Sequence, residues 1–405
     1  MTDSPPPAAP TADFKAPIGL ILVLGGLSAF GPFSIDMYLP GLSQMTRDLH
    51  AGAADGALSV AAFYIGVSLG QLFYGPLSDR IGRRPPLLAG VALYVAASIG
   101  CAFAPSVGLL IGLRLLQALG GCAGLVVSRA VVRDRFSPQQ TAHVFSMLML
   151  VMSLAPIVAP LLGGFVLLVG DWRMIFWVLA VFGALVWLSV LLWMQESRSA
   201  ETEAKARGES ALASYLAVLR EPRVMGYCFA AGFAQAGLLT YIAAAPSLVI
   251  DSYGVSPQGF SYIFACNGVG LVTATYTNRR LLRTKSYDYL LRRANMASLL
   301  AAAVLVVDGF TGFGGLWGFV VPLFFVVASM GFTQANAFAG AMALDPHRAG
   351  STSALVGCLQ FGLGAVAGSI AGALHDGTAR PIAIVILVSY ILSGLALRLL
   401  AKVQD

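Results

Sequence analysis

The sequence holds twelve apolar runs, each close to the length of a membrane crossing. They lie near Ile18–Pro40, Ala57–Leu77, Pro85–Ala104, Val107–Ser128, Thr141–Leu168 and Trp172–Met194, then near Val224–Val249, Phe260–Thr277, Leu290–Val307, Gly315–Phe338, Ser351–Leu374 and Arg380–Leu400. A helix needs about 20 apolar residues to cross a bilayer. Inside hydrocarbon every backbone N–H and C=O must find an internal partner, which favours helices for runs of this length. Charged residues make up 11% of the chain and the mean hydropathy is +0.80. A soluble domain usually carries about 25% charge, so a soluble enzyme and a disordered chain are both excluded. The expected fold is an all-α membrane protein with twelve transmembrane helices and short loops.

One long charged stretch interrupts the pattern, at 195–222. It divides the chain into a tail at 1–17, a six-helix half at 18–194, the linker, and a second six-helix half at 223–405. Six helices, a linker and six more is the pattern of a duplicated transporter. If the N-terminus is cytoplasmic, 21 Lys and Arg fall on the cytoplasmic side and 3 on the outer side. Cytoplasmic loops collect Lys and Arg, so both termini are expected inside. This also accounts for the net charge of +6 without an anionic partner, and no basic stripe interleaved with aromatics points to nucleic acid. The five cysteines, Cys101, Cys122, Cys228, Cys266 and Cys358, read as small buried hydrophobes.

Four places carry chemistry. The loop after the second run holds Gly75, Leu77, Asp79, Arg80, Gly82, Arg83 and Arg84. Gly75 is expected to allow close helix packing, Asp79 to accept from an orphan helix N-terminus, and Gly82 to permit a tight turn. The bland alternative is a basic loop anchor. In the fourth run, Arg114 precedes Gln117 by one helical turn. An arginine within a bilayer helix costs several kcal/mol, so it faces a polar cavity or a partner, unless it snorkels to the helix end. Asp36 is the acid found within an apolar span. A carboxylate stripped of water can take up a proton near neutrality; the alternative is a carboxylate capping the helix end in interfacial water. Asp36 and Arg114 both fall in the outer halves of their helices, at similar depth. The fifth run holds Pro156, Ala159, Pro160, Gly163 and Gly164. The prolines remove backbone donors and the small residues permit close helix approach, as an ordinary kinked contact also would.

The seven residues of the 75–84 loop match the Gly-x-Leu-x-Asp-Arg-x-Gly-Arg-Arg signature of the major facilitator superfamily. Arg114 and Gln117 resemble its Arg-x-x-Gln-Gly motif, with Ala118 in place of the last glycine. The fifth run resembles its antiporter motif, with Ala155 and Ala159 replacing glycines. Asn278-Arg279-Arg280 only faintly echoes the first-half loop. The segments Asp36–Pro40, Arg129–Asp134, Asp171–Arg173, His347–Leu355 and Leu359–Gly362 resemble the Bcr/CflA (bicyclomycin and chloramphenicol resistance) exporters. The resemblance implies a major facilitator fold in the bacterial inner membrane, exporting amphipathic drugs in exchange for protons by alternating access. Asp36 and Arg114 would then couple protons, and the 75–84 loop would act as a cytoplasmic gate.

Polar or aromatic groups in otherwise apolar spans are candidates to line a substrate cavity: Tyr38, Gln117, Gln235, Tyr241, Asn267, Gln334, Asn336 and Gln360. Each can equally be a satisfied contact between helices. The expected partners are a small amphipathic drug-like substrate, protons and the lipid bilayer. No nucleic acid and no cofactor are expected, and the chain is expected to act as a monomer. No phosphate-binding loop appears, and His50, His143, His347 and His375 lack metal-ligand spacing. Two alternatives stay open: a proton-coupled solute importer on the same fold, and a non-transporting scaffold or channel.

Overall fold

The computed structural model describes residues 18–199, 202–204, 210–345 and 348–403. The tail at 1–17, part of the linker and His347 lie outside the described residues. The described chain is helical throughout. Its helices are α1 (Ile18–Asp36), the short α2 (Leu42–Asp48), α3 (Ala53–Ile81), α4 (Arg84–Ala102), α5 (Val107–Arg135), α6 (Pro138–Val169) and α7 (Trp172–Trp193). After the linker helix α8 (Ala211–Leu219) come α9 (Pro222–Pro246), α10 (Pro257–Leu281), α11 (Tyr287–Thr311), α12 (Gly315–Leu344), α13 (Ala349–Ala373) and α14 (Arg380–Leu395).

Among the described residues, eleven helices are long and apolar enough to cross a membrane. The exception is α10, whose 25 residues are long enough. It falls short in apolarity because Gln258, Asn267, Asn278, Arg279, Arg280 and three threonines dilute it.

Several helices begin at a built-in cap. Ser137, Ser256 and Ser286 each accept from the backbone N–H three residues on, and Pro138 and Pro257 occupy the first helical turn. These caps satisfy orphan donors and start α6, α10 and α11 three residues ahead of their apolar runs. α1 ends at Asp36 for a related reason. Pro40 has no N–H to give to the Asp36 carbonyl, and the chain turns through Leu39–Gly41 into α2. Asp36 is therefore the last residue of its helix, not one turn inside it.

The chain alternates between two faces, one carrying the linker and the other the loops at 37–52, 247–256 and 374–379. Helices before the linker meet helices after it along two seams, α3 on α13 and α6 on α10. Both seams are tight toward the face away from the linker. A Cβ on Gly372 would fall 2.3 Å from the Ala57 Cβ, and one on Gly164 2.7 Å from the Ser261 Oγ. Arg47 and Ser43 reach across to Asp251 at 3.0 and 2.8 Å. The α3–α13 seam runs on to Ser68, which donates to the Cys358 carbonyl at 2.8 Å, and to Gln71 against Gly357. Nearer the linker it opens: a Cβ on Gly75 or on Gly350 would meet nothing within 4 Å. Gly75 thus does not serve the close packing expected of it.

Candidate functional site

Arg114 sits on α5 with no solvent exposure. Its Nη1 donates to the Ser34 carbonyl at 3.0 Å and to Gln117 Oε1 at 2.6 Å. Gln117 passes a bond to the Ser98 hydroxyl at 2.7 Å, and Ser34 pairs with the Tyr94 hydroxyl at 2.7 Å. The guanidinium lies 4.5 to 5.7 Å from the ring centres of Phe63, Tyr38 and Phe176. Hydrogen bonds from a charged group are worth roughly 1.5–3 kcal/mol each, and a desolvated cation–π contact about 2 kcal/mol. Together these are of the order of the roughly 2.5–3.5 kcal/mol insertion cost. The cation is held by carbonyls, amides and rings, all from helices before the linker. Among the described residues Nε and Nη2 have no hydrogen-bond partner.

Asp36 is 5% exposed. Among the described residues its side chain makes no hydrogen bond and no ion pair, with Arg114 or any other cation. Just after Asp36, Leu39–Gly41 packs against α6 before the linker and against α9 and α10 after it, which puts Asp36 at the boundary between the two helix groups. Tyr64 of α3 is a further buried polar group at this boundary. Its hydroxyl is buried without a partner, and its ring centre is 6.1 Å from that of Phe361 on α13. Tyr64 thus touches the other helix group while its hydroxyl stays unpaired among the described residues. Sequence reasoning passed over it, because a tyrosine in an apolar run looks like ordinary core.

The eight polar candidates separate into different surroundings. Tyr38 and Gln117 belong to the arginine network, with Tyr38 bonded to the Ser59 hydroxyl at 3.0 Å. Asn267 donates to the Tyr241 hydroxyl at 3.0 Å, and the Tyr241 ring stacks on Phe264. Asn336 donates to Asn278 Oδ1 at 2.9 Å, and both are buried between α10 and α12. Gln235, Gln334 and Gln360 come together from α9, α12 and α13. Gln360 Nε2 donates to Gln334 Oε1, and Gln334 Nε2 donates to Gln235 Oε1. All three are half-buried. The chain of amides leaves a donor end at Gln235 and an acceptor end at Gln360.

The small residues of α6 press against both neighbours. A Cβ on Gly163 would lie 2.1 Å from the Met37 carbonyl oxygen, directly after Asp36. The Gly164 carbonyl accepts from Gln258 Nε2 at 3.1 Å, and Ile157, beside Pro156, fills the gap over Gly268. Ala159 is fully buried, and Pro156 and Pro160 lie within the helix. This stretch therefore joins the end of α1 to the α6–α10 seam.

At the linker face, Arg83 is the centre of a second network. Its guanidinium donates to Asp79, to Asp134 at 2.8 Å and to the Ser78 hydroxyl at 2.9 Å. Asp79 was expected to cap an orphan helix N-terminus. Instead it takes the arginine one turn on, and Glu196 of the linker takes the backbone N–H groups of Arg83 and Arg84 at 2.9 and 3.1 Å. Partial burial works against the Glu196 charge, but four backbone donors, from Arg83, Arg198, Arg84 and Ser197, hold its carboxyl below the usual range. Gly82 makes the tight turn expected, with φ of +98°, and a Cβ there would sit 2.6 Å from Glu196 Oε2. Arg80 is exposed, and its carbonyl accepts from Arg198.

The cysteines are less uniform than expected. Cys101, Cys122 and Cys228 are buried, Cys358 is half-buried and Cys266 is exposed.

Residues 22–401 match the Major Facilitator Superfamily model. The chain is 35% identical to the uncharacterized MFS-type transporter YdgK of Bacillus subtilis, over 94% of this chain and 95% of that one. It is 32% identical to the bicyclomycin resistance protein homolog of Haemophilus influenzae, over 94% and 96%. It is 31% identical to a chloramphenicol resistance protein of Pseudomonas aeruginosa, over 90% and 86%. Its fold is similar to a bacterial homolog of the human lysosomal transporter Spinster, in an inward-facing and unoccupied conformation (TM-score 0.74, 15% identity, 96% of this chain and 99% of that one). It is also similar to the partially occluded, inward-open xylose transporter XylE of E. coli (TM-score 0.73, 14% identity, 94% and 96%). The chain is a multi-pass membrane transporter that belongs to the major facilitator superfamily, in its Bcr/CflA drug-resistance subgroup.

Proposed function

We propose that this transporter exports small amphipathic drugs in exchange for protons by alternating access, from the bacterial inner membrane and with both termini cytoplasmic. On this reading α10 completes a set of twelve spans in two six-helix halves, which rock about the α3–α13 and α6–α10 seams. The observation that carries the reading is Asp36: a buried carboxylate with neither ion pair nor hydrogen bond among the described residues, at the boundary between the halves. Such a group holds a proton at low cost in one conformation and gives it up where water or a cation reaches it. The Gln235–Gln334–Gln360 chain supplies neutral donors and acceptors for the drug, and Arg114, bonded to the Ser34 carbonyl two residues before Asp36, couples to the proton site through the end of α1. The resistance proteins among the relatives favour export over uptake.

The test is exchange in proteoliposomes of known orientation. An imposed proton gradient is expected to drive uphill drug movement against the proton flow, and added drug to release protons from the protein. Drug moving in the same direction as the protons would establish the importer instead. Saturable drug flux indifferent to the gradient would remove the proton from the mechanism.

A further inference from the structure

At the linker face, the end of α10 and the start of α11 carry cations without counter-ions. Arg279, Arg280, Arg283, Lys285 and Arg293 form no ion pair among the described residues. Asp288 lies among them in sequence but accepts from the Tyr227 hydroxyl at 2.6 Å. Arg279, Arg280 and Arg283 line one recess with Tyr276 and Thr284, of about 550 Å³. Arg280 is already fixed there: its Nη2 donates to the Tyr276 hydroxyl at 2.7 Å, and its guanidinium lies 4.6 Å from that ring centre.

The recess is the foot of an exposed seam. Tyr262, Cys266, Val269, Thr273 and Tyr276 recur every three or four residues along α10 and are exposed, Tyr262 by 66% and Val269 by 54%. The other sides of the helix are covered: Gly268 meets Ile157 of α6, Gly270 meets Phe324 of α12, and Asn267 meets Tyr241 of α9. In a membrane-spanning chain, an exposed apolar and aromatic seam turned away from its neighbours faces lipid.

We propose that the Arg279–Arg280–Arg283 recess binds the phosphate of an anionic phospholipid, with an acyl chain along the α10 seam. Any cytoplasmic loop of a membrane protein tends to be basic. Here three guanidiniums converge on one recess, one of them pre-set on an aromatic ring, and guanidiniums match phosphate oxygens in paired hydrogen bonds. Basic pockets at the ends of membrane-spanning helices suit acidic headgroups, and the seam supplies what a free phosphate would not use.

Native mass spectrometry of the full chain in neutral detergent tests this, with phosphatidylglycerol, phosphatidylcholine of the same chains, and inorganic phosphate as probes. The chain is expected to retain phosphatidylglycerol about tenfold more tightly than phosphatidylcholine. Arg279→Gln/Arg280→Gln/Arg283→Gln together should remove that preference. Arg220→Gln/Arg223→Gln/Lys402→Gln, which removes the same charge from the same face, should leave it within about twofold. An equal loss in both triple variants, or none in the first, overturns the proposal. So does inorganic phosphate displacing the lipid at millimolar concentration, which would mark a plain anion site. Should the first triple variant fail to fold, a fluorophore on native Cys266 gives a second reading. Brominated phosphatidylglycerol is then expected to quench it several-fold more than brominated phosphatidylcholine, and equal quenching counts against the site.

Discussion

The helices before the linker bury Arg114 and Asp36; those after it bury amides, apart from Asp308, which takes the Gly314 N–H at 2.7 Å. On the first side, Arg114 is closed inside a network of serines, a glutamine and aromatic rings, and Asp36 sits at the edge of the same group. On the second side, Gln235, Gln334 and Gln360 are half-buried and, among the described residues, bond only to one another. Charge in a low-dielectric interior is costly and must be enclosed or neutralised. Neutral amides can stand partly open and exchange partners cheaply. On the proposed function, the difference assigns proton handling to the first side and substrate recognition to the second, each alterable without the other.

The largest effect should come from Asp36→Asn. An amide keeps the shape but cannot titrate, so proton-driven exchange is expected to fall at least a hundredfold while drug binding at fixed pH changes by less than about threefold. Normal exchange by this variant would break the comparison at its root. Arg114→Lys should come next. Lysine keeps the charge but has no planar fork to serve both the Ser34 carbonyl and Gln117. Exchange is expected to drop about tenfold, and the pH dependence of drug binding to move relative to wild type. If the two titrate together, Arg114 does not bias the proton site.

Gln334→Leu tests the other side. Gln334 is the middle amide, so leucine strands Gln235 Oε1 and Gln360 Nε2 without their partner. Each lost hydrogen bond is worth roughly 0.5–1.5 kcal/mol, and drug affinity should shift about three- to tenfold with an unchanged pH profile. A shifted pH profile with intact affinity would show that the two sides are not separable.

Much of this was legible in the sequence because charge is so rare in an apolar span. Asp36, Arg114 and the 75–84 loop stand out against their surroundings, and each apolar run became a helix. The misses have local causes. Hydropathy placed the starts of α6, α10 and α11 at residues 141, 260 and 290, because it does not register the serine caps that begin them at 138, 257 and 287. It carried the first helix to Pro40, although that residue lacks the N–H needed to bond Asp36. The Tyr64 hydroxyl was hidden because tyrosine is common in cores, and only the fold shows it buried with no partner among the described residues. Gln235, Gln334 and Gln360 were each visible, but nothing along the chain joins residues 99 and 26 positions apart.

Glu196 was hidden for the opposite reason: a glutamate in a charged linker reads as solvated. Its removal should give the smallest effect and sharpen a second contrast between the two sides. The loop at 82–84 is fastened to the linker by Glu196, whereas the loop after α10, with its faint echo of the same motif, has no such carboxylate among the described residues. Glu196→Gln keeps one acceptor but loses the charge at the start of α4, where Arg83 and Arg84 donate. Loss of a helix cap costs about 1 kcal/mol, which for a chain of this size is roughly 1–2 °C in melting temperature. The pH dependence identifies the cause. The folded-state pKa of Glu196 lies below its unfolded value of about 4.3, so its contribution is present above that pH and is lost as the pH falls through the folded value. The melting difference between wild type and Glu196→Gln should therefore be full at pH 7 and shrink as the pH drops toward 3. A difference that stays constant over that range would mean that the carboxylate charge does not hold the clasp.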